Sequence, residues 1–250
     1  MKNFILLASL LWSLPVFADA PTAVEVVAKL DKLKATLADE VTSALATNRY
    51  ATSYTTVWRN FEDDAQAALC TALQKHIPGL TQKNFDTGQA GSEKNRLADL
   101  AIVCGGQTIE VSIKAARGSQ NPENDMGTFR DHANRKKLFV AAFTLFGRYV
   151  DSNSVIRVDR VFFDRTYRIV GKSTLVDGVK YRKKDGNMRP KPWAMFDTGK
   201  AFWESVEEFE AGVKRAESFR ARELVKEHLA GMSEAEQQVL YEHLKKKFGD

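Results

Sequence analysis

Cysteine and histidine are scarce. The chain of 250 residues holds 2 cysteines, Cys70 and Cys104, and 4 histidines, His76, His132, His228 and His243. None of them is spaced as zinc ligands are, which excludes a zinc-finger pattern. So small a cysteine count also excludes a disulfide framework. In an oxidising compartment the pair forms either one bridge or two buried free thiols. Internal repeats and low-complexity tracts are missing. Long apolar runs are missing after the first twenty residues, since 138–146 is only strand-sized. The start is different. Met1-Lys2-Asn3 leads into an almost wholly apolar stretch, Phe4 to Phe17, then the small residues Ala18 and Ala20. A charged start, a short apolar core and a small-residue exit describe a secretory signal peptide, with cleavage after Ala18. The expectation is a signal peptide at 1–18 and a periplasmic or secreted mature protein free of the membrane; an uncleaved anchor is the alternative.

What is present suits a folded domain. Hydrophobic residues make up 44% of the chain, enough for a sizeable core. The formal net charge of +5 leans toward a polyanionic partner.

The most informative stretch is 97–116. Two apolar runs flank Gly105-Gly106, a strong signal for a two-residue hairpin loop. With that loop, Cys104 pairs with Gln107 and counting sets the register. Asp99 then falls opposite Ser112, with Glu110 and Lys114 on the diagonals, roughly 7–8 Å away. These polar residues share one face, while Leu100, Ile102, Cys104, Ile109, Val111 and Ile113 make the other, a core face. A three-residue loop would put Asp99 and Glu110 on opposite faces. Two acids and a lysine on a strand pair form either a surface ion pair or a metal-dependent phosphodiesterase site. In the second case hard oxygen ligands hold Mg²⁺ or Mn²⁺ and a lysine orients or activates the attacking water.

Ala98-Asp99 followed by Glu110-Val111-Ser112 resembles the restriction-endonuclease-like PD-(D/E)xK nuclease superfamily. The chain departs from that pattern at Ser112, where the motif has lysine; Lys114 stands one strand repeat further along the same face. The resemblance covers about residues 55 to 165. It implies an α/β fold, a mixed central β-sheet flanked by helices, with helical N- and C-terminal additions. It also implies metal ligation by Asp99 and Glu110, and often a further acid from the helix before the hairpin. Glu62 is the choice for that acid, Asp63 its rival. Gln120 follows the second motif as a glutamine does in some members.

Elsewhere, apolar periodicity predicts helices over 23–46 and from about Thr56 to Ile77, where Pro78-Gly79 ends the second. Residues 78–96 read as loop, with Lys94 and Arg96 just before the motif. A short helix should end near Lys137. Leu138 to Phe146 reads as a buried central strand and 155–170 as another. Helices are expected over 198–230 and 233–247, the latter opened by the capping-box signal Ser233-Glu-Ala-Glu236. The run 180–192 carries Lys180, Arg182, Lys183, Lys184, Arg189 and Lys191 against one acid, Asp185. Asp185-Gly186 turns it, and Tyr181 and Trp193 stand at its ends, so it reads as a nucleic-acid-binding arm with phosphate and stacking contacts.

The expected organisation is a nuclease-like α/β domain over 19–197 and a helical extension over 198–250 packed on it. The expected function is exported, metal-dependent endonucleolytic hydrolysis of DNA, with Asp99, Glu110, Lys114, Ser112 and Glu62 at the site. The sequence does not separate DNA from RNA, and it leaves a homodimer open. The alternatives are an inactive DNA-binding module of the same fold, favoured by Ser112 in the lysine position, and a periplasmic protein-interaction domain.

Overall fold

The computed structural model describes residues 21–51, 54–87, 99–118, 122–134, 141–152 and 155–248. The expected signal peptide, Lys94, Arg96, Ala98 and Gln120 lie outside these residues.

Helix α1 (Ala23–Leu45) begins at a capping box. The Thr22 hydroxyl accepts from the Glu25 N–H, and the Glu25 carboxylate accepts from the Thr22 N–H at 2.8 Å. Its buried stripe is Val26, Leu30, Leu37, Val41 and Leu45. Helix α2 (Tyr54–His76) buries Phe61, Ala65, Leu69 and Leu73 at the same helical spacing.

Both helices cover one face of a mixed six-stranded sheet. Its strands are β1 (Tyr50–Ala51), β2 (Phe85–Thr87), β3 (Leu100–Cys104), β4 (Gln107–Arg117), β5 (Phe143–Ser152) and β6 (Val155–Arg165), in the order β1-β6-β5-β4-β3-β2. Among the described strands only β4 and β5 run parallel. The observed α/β architecture, helices around a mixed sheet, is the expected class.

Neighbouring residues of the central strands serve two different cores. Phe143, Leu145, Val161 and Phe163 join α1 and α2 in the first; Phe146 and Phe162 belong to the second. That division explains the unbroken apolar character of β5, which is covered on both faces. The strand starts at Phe143, with 135–140 outside the described residues. β6 ends at Arg165, five residues short of the expected limit, and a single helical turn, α4 (Thr166–Ile169), follows; α3 is Phe129–Asn134.

A small hairpin of β7 (Tyr181–Arg182) and β8 (Asn187–Met188) and the helix α5 (Pro192–Thr198) complete the second layer. The next helix, α6 (Val206–Ala230), starts eight residues later than the sequence predicts. Gly199, at φ +69°, ends α5, and the Ser205 hydroxyl caps α6 by accepting from Glu208 N–H. Trp203, Phe209, Val213 and Ala216 are buried in the second core, so this part of the C-terminal segment is integral to it. α7 (Glu234–Phe248) opens with the expected Ser233–Glu236 box. Cys70 and Cys104 are buried free thiols.

One close approach fixes α2 on the sheet. A Cβ at Gly147 of β5 would lie 2.4 Å from the Phe61 ring. Gly147→Val should therefore cost about 1–3 kcal/mol through overpacking, read as a lower urea midpoint. An unchanged midpoint would show that α2 is not seated there.

Candidate active site

The hairpin loop is the two glycines, with φ +56° at Gly105 and +75° at Gly106, a backbone that needs residues tolerant of positive φ. Cys104 pairs with Gln107, Ala101 with Glu110 and Leu100 with Val111. Ile109, Val111, Ile113 and Ala115 are buried, while Glu110, Ser112 and Lys114 between them are half-buried. The register and both faces are those counted from the sequence.

At Asp99 the ladder changes character. The Asp99 N–H still donates to the Val111 carbonyl at 3.1 Å, but β3 has ended. The next inward N–H of β4, that of Ile113, is taken by the Asp99 side chain. Oδ2 accepts it at 2.5 Å, and accepts from Lys114 Nζ at 3.2 Å. A carboxylate thus replaces a strand carbonyl, and this fixes its orientation beside Lys114. Both side chains are mostly shielded, at 19% and 23% exposure, so the ion pair is less screened than a surface pair.

Helix α2 delivers the second carboxyl. It carries three acids in a row after Phe61, and its rotation sends them to different places. Glu62 hydrogen-bonds Asp99. Asp63 is exposed. Asp64 accepts from the buried Tyr50 hydroxyl at 2.9 Å and from Asn48 at 2.8 Å. The Tyr50 hydroxyl is pushed up to about 12 by burial, with the Asp64 contact adding to it, so it stays a donor. This lock was not read from the sequence, because strand β1 has only two residues and carries no periodic signal.

Burial raises the Glu62 carboxyl from an ordinary 4.5 to about 8. Its hydrogen bond to Asp99 and the Asp99 charge push the same way, while Lys114 opposes them. These effects favour the protonated form of Glu62, which can donate to Asp99. Two oxygen-ligand side chains facing each other fit Mg²⁺ or Mn²⁺, since Mg²⁺ is commonly held by one or two carboxylates with water and phosphate completing the shell. Among the described residues no three His, Cys, Asp or Glu side chains converge. Glu110 keeps its place on the polar face, opposite Ala101. Register counting places Ser112 across from Asp99 on that face.

The basic arm is only partly available. Arg189 is 3% exposed; its Nη1 donates to Asp125 at 2.5 Å and to the Glu123 carbonyl. It anchors the arm and is not a phosphate contact. Trp193 is buried against Phe146 and Phe162, so it does not stack on bases. Arg182 pairs with Asp185 and Lys183 with Glu227. Lys184 is exposed, and Lys180 and Lys191 are half-buried.

No protein-family model and no curated protein matches the chain. Among solved structures it is similar to the NlaIV restriction endonuclease, at 12% identity over 78% of this chain and 79% of that one, with a TM-score of 0.47. A likeness at this level says nothing of activity, and the chemistry rests on the site itself.

The carboxyl pair has a direct signature. Between about pH 4.5 and pH 8 the folded chain binds a proton at Glu62 that the unfolded chain releases, so this group lowers stability as pH rises through that window. In EDTA, wild type should lose more stability than Glu62→Gln between pH 5 and pH 8 in urea denaturation. Identical pH dependence of the two would contradict the shifted carboxyl.

Proposed function

We propose that this protein is an exported, metal-dependent endonuclease hydrolysing DNA phosphodiester bonds. The observation that carries this reading is the shielded carboxyl pair, Glu62 and Asp99, with Lys114 held on Asp99. A structural ion pair needs one acid; a second carboxyl pushed against the first is costly unless something cationic can replace the shared proton.

Glu62 and Asp99 are the residues that would hold the metal. When bound, Mg²⁺ or Mn²⁺ supplies a Lewis acid for the phosphate and an activated water. The ladder bond from Ile113 keeps Asp99 in place as Glu62 gives up its proton. Lys114, on the same strand face, orients the attacking water and offsets negative charge developing on the phosphate. Ser112 stands where the motif has lysine, and Lys114 takes over that role from one repeat further along. Glu110, on the same polar face, is the further acid that the motif would add to the metal's ligands. The exposed Lys184 of the arm supplies a phosphate contact.

Purified protein incubated with plasmid and Mg²⁺ should cleave it. Asp99→Ala and Lys114→Met should each slow cleavage by roughly 10²-fold or more. Glu62→Gln and Glu110→Gln should each slow it as well. Equal cleavage by wild type and Asp99→Ala would reject the assignment. DNA retention without metal-dependent cleavage would support the fold as a binding module instead.

A further inference from the structure

Away from the carboxyl pair, residues 172–176, the arm and α6 enclose a cavity of about 430 Å³. Its walls include Lys172, Lys180, Lys183, Lys191, Tyr181 and Phe219. That volume is within the roughly 300–1,000 Å³ of small-ligand sites.

The cavity is built by close backbone approaches. A Cβ at Gly178 would meet the Gly212 carbonyl oxygen of α6 at 2.7 Å, and the Val179 N–H donates to that oxygen at 3.3 Å. A Cβ at Gly171 would lie 2.6 Å from Lys191 Cγ, so the Lys191 stem runs directly along that backbone. Lys191 Nζ then donates to the Lys172 carbonyl at 3.1 Å. These contacts hold the lysine in place before any ligand arrives.

The charges are unequally matched. Lys172 pairs with Asp177 at 2.9 Å and Lys183 with Glu227. Among the described residues no carboxylate pairs with Lys180 or Lys191. The one acid in the wall, Glu223, is held by Lys226 at 3.0 Å. Two uncompensated ammonium groups therefore face a cavity that also presents two aromatic side chains. Ammonium groups bind phosphate as compact point charges, and aromatic faces accept any base.

We propose that this cavity binds one unpaired nucleotide unit of a DNA strand, its phosphate at Lys180 and Lys191 and its base against Tyr181 and Phe219. This rests on the nucleic-acid reading above and deepens it. A base inside a pocket of this size has left its stack, which is cheapest at a strand end or in single-stranded DNA. The site would thus give a preference for unpaired DNA that the carboxyl pair does not impose.

The test is fluorescence anisotropy of a labelled single-stranded decamer with the full protein in EDTA. Unlabelled strand, its perfect duplex, dAMP and inorganic phosphate serve as competitors. Lys180→Gln should weaken binding about tenfold, the loss of one charge-assisted contact. It should also make the log–log salt dependence shallower by about 0.7. Phe219→Leu should weaken binding at unchanged salt dependence. Melting curves confirm that the variants are folded. Wild-type affinity in both Lys180→Gln and Lys191→Gln, or a duplex competing as well as the single strand, would overturn the proposal. So would dAMP or phosphate competing as well as the strand. Cleavage activity separates the two readings: a wild type that cleaves while Lys180→Gln binds normally defeats the pocket alone. Pocket-dependent binding with no metal-dependent cleavage defeats the nuclease assignment alone.

Discussion

The site depends on a single substitution of partners, the Asp99 carboxylate standing where a strand carbonyl would be. Because β3 ends there, the Ile113 N–H needs an acceptor, and a shielded N–H without one is costly. Asp99 meets that need and is thereby aimed across β4 toward Lys114. Without this bond the acid would be a mobile end-of-strand side chain. With it, Asp99 is a fixed point against which α2 can press a second carboxyl.

The surrounding fold keeps that arrangement in place. The Gly105-Gly106 turn sets the register, and the buried face of β4 prevents a slip, which would bury Glu110 and Lys114. Phe61 over Gly147 sets the seat of α2, and Asp64 on Tyr50 sets its rotation. Glu62 lies between those two anchors in sequence, so its direction follows from them. The pair sits beside the polar strip Glu110, Ser112 and Lys114, half-buried where Ala116 is already in the second core.

The hairpin was legible because its signals are local: two glycines, alternating faces and one buried stripe. The choice between Glu62 and Asp63 had no local signal behind it. Its decision rests on Tyr50, which no pattern announces. A motif records spacing along strands and says nothing of which carboxyl a neighbouring helix delivers. Arg189 was misjudged for a similar reason: its partners, Glu123 and Asp125, are 66 and 64 positions away in a loop. Trp193 likewise turned inward to meet Phe146 and Phe162. The late start of α6 could have been read from Gly199 and Ser205, which are ordinary stop and start signals.

If Glu62 and Asp99 form a metal site, filling it must expel the proton they share. Isothermal titration of Mg²⁺ or Mn²⁺ into the protein at pH 7, in buffers of different ionisation enthalpy, measures that proton directly. The account predicts release of about one proton per metal bound, vanishing in Glu62→Gln. Binding with no proton released, or no difference between wild type and Glu62→Gln, would contradict it.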